Sequence, residues 1–409
     1  MGEKQENWQR TFWVLWACVF MVCASYTMVV PFLPLFLVKE LHLATAAAKM
    51  WSGAVLAITF IFAGLMAPIW GARGDISGQK KNALRAGVGL TLCYFACSLV
   101  ENPWQLLGIR AFMGIISGFV PACMAMASAN LPEEKMGWGM GLIQAANASG
   151  SITGPLLGGV LSQMFGMRIS MMASSLILGI ATLAIFLFVK EIPLVKTADT
   201  KARSGVKAML ADLGQLLRKP IIIYILCFFA IVKACTMVIQ PLLAIYVNDA
   251  LKGAPSAVTI AGVILSLAGI AGIIAAPFWG NRGHDYGYVK VLAVVMFCAG
   301  LTNLLQLAVD SIWLFALLYF IYGLFLAGAS PNLFSYLVES TDISERGKAF
   351  GLSTSADQLG GALGPLTGGF LGTFATVPQL MAMTGCFLML AGFNIYWTKI
   401  RNNTGKKLS

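Results

Sequence analysis

Apolar residues along the chain are gathered in long runs separated by short polar stretches. Each run has about 20 residues or more, the length an α-helix needs to cross roughly 30 Å of hydrocarbon. Twelve runs therefore predict twelve transmembrane helices, near residues 11–37, 49–70, 84–100, 104–129, 137–163, 168–189, 221–247, 257–280, 289–309, 312–337, 347–373 and 379–400. The first run is too long for a signal peptide, so we expect it to be retained as a span.

One long polar stretch, residues 195–219, lies between the sixth and seventh runs. Its amphipathic part, residues 206–217, predicts a short helix along the cytoplasmic surface, although a solvated linker fits the pattern equally well. We therefore predict an N-terminal six-helix bundle over 1–189, a cytoplasmic linker over 190–219 and a C-terminal six-helix bundle over 220–409. The predicted fold class is an all-α membrane protein of two pseudo-symmetric bundles.

The basic residues predict the orientation of the spans. With the N-terminus inside, the cytoplasmic segments hold 22 of the 28 Lys and Arg. The outer loops hold only Lys39, Lys49, Arg168 and Lys252. Because cytoplasmic loops of membrane proteins carry an excess of Lys and Arg, both termini are predicted to be cytoplasmic.

Composition agrees with an integral membrane protein: 58% of the residues are hydrophobic and 11% are charged, against about a quarter charged in soluble domains. The net charge of +11 follows from the predicted topology and needs no nucleic-acid partner. All nine Cys lie within predicted spans without metal-ligand spacing, and we interpret them as core residues. No cofactor or metal is implied.

The two halves of the chain are repeats of each other. At an offset of 209 or 210 residues, three segments match at corresponding places in each half: "PFLPLFLVKEL" with "PLLAIYVNDAL", "PIWGARGDISG" with "PFWGNRGHDYG", and "GLIQAANASGSITGPLLGG" with "GLSTSADQLGGALGPLTGG". Duplication of this kind is typical of secondary transporters, whose substrate site lies near the midplane between the repeats. We therefore expect a small-molecule substrate and a lipid bilayer as partners.

The repeated phrase carries the pattern G-x8-G-x3-G-P-x2-G-G on the fifth span. It is met by Gly141, Gly150, Gly154, Pro155, Gly158 and Gly159, and again on the eleventh span by Gly351, Gly360, Gly364, Pro365, Gly368 and Gly369. With this pattern the whole chain resembles the major facilitator superfamily and, within it, the twelve-span drug:proton antiporters. The resemblance implies a monomeric, proton-coupled exporter in a bacterial inner or cytoplasmic membrane that moves drugs, including antibiotics, by alternating access.

The physics of the glycines supports a moving contact. Gly150, Gly154 and Gly158 fall within an arc of about 80° on a helix, so a neighbouring helix backbone can approach closely. Pro155 removes one backbone hydrogen bond and is expected to bend its span. We predict that this segment and its copy at Gly360, Gly364, Pro365 and Gly368 serve gating, with ordinary tight packing as the alternative.

A second element, "GARGDISGQK", follows the second span. Gly71, Asp75, Gly78 and Lys80 match the superfamily's loop pattern, and the resemblance implies that they help to latch the cytoplasmic side. A carboxylate such as Asp75 would gain about 0.3–1 kcal/mol at a helix N-terminus. The pattern's arginines are replaced at Ile76 and Gln79, and a solvated turn is the alternative for Asp75.

Three charges are predicted to lie inside the membrane, where each costs at least roughly 2.5 kcal/mol and is a candidate for function. Arg110 on the fourth span matches a family arginine implied in proton coupling. Lys233 on the seventh span and Asp357 on the eleventh enter from the same side to similar depth, so an ion pair between them is feasible. The repeat places Asn147, a neutral amide, where Asp357 stands in the other half. We therefore predict that Asp357 carries the proton; a pair that only neutralises itself is the alternative.

The substrate surface is predicted from spans one, four, seven and ten, which line the cavity in this fold. Flexible Met and flat aromatic side chains suit varied lipophilic compounds, although at helical spacing they are more often packing residues. The candidates are Tyr26, Met28, Met113, Asn147, Met237, Gln240, Tyr319 and Tyr322, with Phe119, Met124, Met126 and Phe325 beside them.

Other functions remain as alternatives. An exporter or proton symporter of a polar solute such as a sugar should show more Asn, Gln and Trp on the cavity spans. A channel would show flux that does not saturate. An enzyme is not expected, because no phosphate-binding loop, metal set or nucleophile–base spacing occurs and His42 and His284 lie outside the predicted membrane core.

Overall fold

The computed structural model describes residues 2–191, 216–309, 311–342 and 345–401. Within them the chain forms sixteen α-helices joined by short turns and 3-10 segments. In the first half these are α1 (Gly2–Val29), α2 (Leu33–Lys39), α3 (Thr45–Ser77), α4 (Gln79–Ser98), α5 (Pro103–Ile116), α6 (Phe119–Asn130), α7 (Met136–Phe165) and α8 (Met167–Phe188). In the second half they are α9 (Pro220–Ile239), α10 (Leu243–Ala250), α11 (Ala257–Tyr286), α12 (Tyr288–Leu305), α13 (Ile312–Leu326), α14 (Ala329–Glu339), α15 (Arg346–Leu371) and α16 (Val377–Ile395).

The sixteen helices correspond to the twelve predicted spans because four spans are interrupted. Spans one, four, seven and ten break at residues 30–32, 117–118, 240–242 and 327–328. Pro31 and Pro241 remove backbone donors at the first and third breaks. At the second, Gly118 has φ +123°, a conformation that suits glycine. The apolar pattern predicted continuous spans, and these interruptions are the main departure from that prediction.

Nine segments in the described part of the chain are both long and apolar enough to cross a membrane by themselves. The other three spans are α4, α7 and α15. The last two carry the glycine-rich phrases, whose small residues lower their hydropathy. The all-α, twelve-span fold class is therefore confirmed.

Large apolar side chains are exposed in rows on several helices. On α8, Leu176, Leu183 and Leu187 are each more than half exposed. Exposure on this scale is unfavourable in water but suits a surface that faces lipid. The protein is a multi-pass membrane protein.

The helices form two compact units. The first comprises residues 1–43, 58–209 and 255–263, and the second comprises 44–57, 210–254 and 264–409. In the first, α1 packs most extensively on α7, and in the second α9 packs most extensively on α15. The sequence-based division into bundles over 1–189 and 220–409 stays a prediction. The amphipathic segment predicted over 206–217 lies almost wholly outside the described residues.

Candidate transport site

The glycine stripe on α7 lies directly against the backbone of α1. A Cβ added at Gly150, Gly154 or Gly158 would collide with main-chain atoms of the facing helix. The carbonyl oxygens they face belong to Phe20, Ala24 and Met28. The predicted close approach of a second helix backbone is therefore present in the structure.

The second unit repeats this contact between α15 and α9. Gly360, Gly364 and Gly368 face carbonyl oxygens in the same order. These belong to Ala230, Ala234 and Val238, each 210 residues after its counterpart on α1. The duplication seen in the sequence is thus a duplication of packing.

The prolines of the two phrases lie inside continuous helices. The Pro155 carbonyl faces Gly262 within the first unit, and the Pro365 carbonyl faces Gly53 within the second. Gly159 and Gly369 stand beside the same two glycines. These second glycines, at the starts of α11 and α3, were not identified from the sequence. An inspection of the repeat could have found them, since Gly53 and Gly262 are 209 residues apart.

The candidate proton site lies one turn from the glycine contact. In the first unit the Cys23 thiol donates to the Asn147 side-chain oxygen over 3.4 Å. The equivalent positions 210 residues later are Lys233 and Asp357. A neutral pair in one unit is therefore replaced by a charged pair in the other.

Lys233 and Asp357 attract each other without touching. Lys233 packs its Cβ against Gly360, and it is the charged group that acts on the Asp357 carboxylate. Among the described residues the salt bridges shorter than 4.0 Å do not include this pair. Both side chains are half-buried. Among the described residues, the contact ion pair considered from the sequence is therefore not formed.

Arg110 on α5 is the largest fully buried side chain of the described chain. Its three guanidinium nitrogens have no oxygen or nitrogen partner within the described residues. Its carbon Cζ lies 5.8 Å from the ring centre of Tyr94. A buried cation with no oxygen or nitrogen acceptor among the described residues is costly, which marks Arg110 as a functional group.

Tryptophan side chains donate hydrogen bonds to backbone carbonyls beside the breaks in spans four and ten. Trp70 donates from Nε1 to the Ile115 carbonyl over 2.6 Å, and Trp279 donates to the Leu324 carbonyl over 2.8 Å. Carbonyls freed where a span is interrupted need such donors, because lipid supplies none. Arg85 is a second donor at the break in span four, over 3.2 Å to the Ser117 carbonyl. These hydrogen bonds were not predicted from the sequence.

The residues predicted to latch the cytoplasmic side lie around the turn between α3 and α4. Gly71 is exposed with open space around it, and Gly78 has φ +102° between α3 and α4. Lys80 donates from Nζ to the Phe186 carbonyl over 3.0 Å. Asp75 belongs to α3, but its side chain lies outside the described residues.

A carboxylate does occupy the N-terminus of α4. It belongs to Glu191, which accepts from the backbone N–H groups of Lys80 over 3.2 Å and Lys81 over 3.3 Å. A carboxylate in this position is favoured by the helix dipole. Glu191 was not predicted from the sequence.

The predicted substrate residues divide between packing and more open positions. Met28 is fully buried beneath Gly158, and Met113 is 2% exposed. Tyr319 and Tyr322 are buried on α13, with ring centres 5.9 Å apart. Four candidates are half-buried, namely Tyr26, Asn147, Met237 and Gln240. The Gln240 oxygen, at the break of span seven, has no partner among the described residues.

The cysteines match the sequence interpretation only in part. All nine are free, but Cys227 and Cys386 are exposed rather than in the core. The described residues contain no group of three or more His, Cys, Asp and Glu able to hold a metal.

A sequence profile described as Major Facilitator Superfamily matches residues 15–252 and 231–408. The chain belongs to this superfamily. It is 31% identical over 397 residues to the uncharacterized MFS-type transporter YuxJ of Bacillus subtilis, covering 97% of this chain and all of that one. It is 30% identical over 402 residues to the multidrug resistance protein MdtG of Salmonella schwarzengrund, and the match covers 97% of this chain and 96% of that one. The protein is therefore a membrane transport protein rather than an enzyme, and it acts on a small-molecule substrate.

Solved structures confirm the superfamily fold. The nucleoside transporter NupG matches with a TM-score of 0.75 and 15% identity, over 94% of this chain and 98% of that one. The human organic anion transporter MFSD10 matches with a TM-score of 0.69 and 18% identity, over 95% of this chain and 99% of that one. At this identity the likeness concerns the fold alone.

Proposed function

We propose that this superfamily member is a proton-coupled exporter of drugs or other amphiphilic small molecules. It works as a monomer in a bacterial cytoplasmic membrane with both termini in the cytoplasm. The relatives named MdtG, which match nearly the whole chain, support multidrug export. The 22 basic residues on one side of the predicted spans support the orientation.

The observation that carries proton coupling is the pair of equivalent positions on the two glycine contacts. Cys23 and Asn147 stay neutral, whereas Lys233 and Asp357 bring one titratable carboxylate to the same packing site. Protonation of Asp357 removes its attraction for Lys233 or for a cationic substrate, so proton binding and substrate binding exclude each other and proton binding favours substrate release. Entry of one proton at 100 mV supplies about 2.3 kcal/mol for this exchange.

Accumulation of lipophilic dyes in cells that lack their own major exporters tests this function. Expression of the wild type should lower dye accumulation, and a protonophore should abolish the difference. Asp357→Asn should export no dye at wild-type protein levels. The control Asp249→Asn makes the same chemical change on an exposed residue at the end of α10 and should export normally. Dye export by Asp357→Asn that still responds to the protonophore would contradict the proposal.

A further inference from the structure

A groove opens on the second unit where α11 turns into α12. It has a volume of about 320 Å³ and is lined by aromatic, basic and aliphatic side chains. Its lining residues are Phe278, Trp279, Arg282, Tyr286, Lys290 and Val294, with Val291. Phe278, Tyr286 and Val294 are each more than half exposed, so the groove is open to the surroundings of the helices.

The sequence repeat explains why this groove is open. The residues equivalent to Trp279, Val291 and Val294, 209 positions earlier, are Trp70, Asn82 and Arg85. In the first unit Arg85 lies over the Trp70 ring with Cζ 3.2 Å from its centre, and it bonds to the Asn82 oxygen over 2.9 Å. There the protein's own cation fills the position. In the second unit valines replace both polar residues and the space remains vacant.

The two cations of the groove lack an acidic partner. Arg282 donates to the Tyr286 hydroxyl over 3.1 Å and lies 5.3 Å from the Phe278 ring centre. Asp285 belongs to the same turn but does not line the groove, and within the described residues no ion pair joins it to Arg282 or Lys290. Two unpaired cations beside exposed aromatic rings suit a ligand that is anionic at one end and apolar at the other.

The surface of α12 continues the groove along the helix. Val294, Phe297, Leu301 and Leu305 recur at helical spacing, and each is between 41% and 51% exposed. This apolar stripe is about 16 Å long at the rise of an α-helix. It has the direction and the chemistry to hold an acyl chain.

We propose that this groove binds the headgroup of an anionic phospholipid, with the phosphate between Arg282 and Lys290 and an acyl chain along α12. Basic pockets among transmembrane helices recognise anionic headgroups in this way. On the proposed orientation the groove faces the cytoplasmic leaflet. None of the residues that line the groove is among the proposed proton and substrate residues.

Native mass spectrometry of the purified full-length protein tests the site, with phosphatidylglycerol and phosphatidylcholine added in parallel. The wild type should retain phosphatidylglycerol in preference to phosphatidylcholine. The double variant Arg282→Gln and Lys290→Gln should bind phosphatidylglycerol about tenfold more weakly or worse, because each basic residue contributes on the order of 1 kcal/mol at an anionic membrane surface. Val294→Arg keeps both cations but fills the groove as Arg85 does in the first unit, and it should also lose the lipid.

Arg73→Gln is the matched control, because it removes the residue equivalent to Arg282 in the unit whose groove is filled. It should retain the lipid as the wild type does. Equal retention of phosphatidylcholine, or undiminished retention of phosphatidylglycerol by both groove variants, would overturn the proposal. Complete displacement of the lipid by inorganic phosphate would indicate a free-anion site instead, and displacement by a transported dye would indicate a substrate site; either result overturns it.

Discussion

Substitution of Gly154 by alanine perturbs the contact between α7 and α1 at the middle of the glycine stripe. The new Cβ would lie 2.5 Å from the Ala24 carbonyl oxygen and 3.0 Å from the Met28 nitrogen, and it would overlap the Thr27 hydroxyl. Ordinary van der Waals contact begins near 3.4 Å. The two helices must therefore separate locally by about 0.9 Å, because neither obstructing backbone atom can rotate away.

Overpacking of this size costs about 1–3 kcal/mol. We expect Gly154→Ala to lower the melting temperature of the purified protein by several degrees, at about 2–4 °C per kcal/mol. Dye export should fall by more than the loss of folded protein explains, because the substitution alters the contact that is proposed to move during transport. Size-exclusion analysis after stepwise heating measures the first effect, and dye accumulation at matched protein levels measures the second.

Gly141→Ala is the control for this prediction. Gly141 belongs to the same signature and the same helix, but a Cβ there meets nothing within 4 Å. Alanine is favoured over glycine in a helix by up to about 1 kcal/mol, so this variant should be as stable as the wild type or more stable. Equal losses of melting temperature in Gly154→Ala and Gly141→Ala would refute the reasoning from helix contact.

Two further predictions concern charged groups. The hydrogen bond from Lys219 to Glu345, 2.6 Å long, raises the pKa of Lys219 above its ordinary value of 10.5. The stabilisation is therefore fully present below pH 10.5 and is lost as the pH rises through the raised value, so the small difference in melting temperature between the wild type and Lys219→Met should disappear in strongly alkaline buffer. Arg110→Met removes a buried charge that has no oxygen or nitrogen partner among the described residues. We expect this variant to unfold at the same temperature as the wild type or higher, by the equivalent of about 1–3 kcal/mol, while dye export is lost. A lower melting temperature would show that Arg110 serves mainly to hold the fold.

The sequence predicted the features that depend on residue composition and on the spacing of residues along a helix. Twelve apolar runs correspond to twelve spans, and the glycine stripe at Gly150, Gly154 and Gly158 meets a helix backbone as expected. Glycine spacing is informative because only the absence of a side chain allows this contact. Duplication then extended the prediction to the second unit.

The remaining features depend on contacts between residues far apart in the chain. The break at Gly118 is stable because Trp70 and Arg85 satisfy the carbonyls that it frees, and these partners lie 32 to 45 residues from their acceptors. Whether Lys233 and Asp357 touch depends on how two different helices pack, which spacing along one helix cannot give. The sequence therefore suggested a contact ion pair, whereas the salt bridges among the described residues do not include this pair.

The substrate candidates show the same limit. Met28 and Met113 were selected because flexible side chains suit varied ligands, but they are buried in helix contacts. The helical spacing of apolar residues does not by itself distinguish a helix face that lines a cavity from one that packs on a neighbouring helix.

Proton movement driven by substrate is the measurement that tests the account most directly. The purified protein is reconstituted in liposomes that contain a pH-sensitive dye, and a transported lipophilic cation is added outside with no other ion gradient. The wild type should move protons in the direction opposite to the cation, and Asp357→Asn should move none. Proton movement by Asp357→Asn at the wild-type rate, or transport by the wild type without any proton movement, would contradict the central claim.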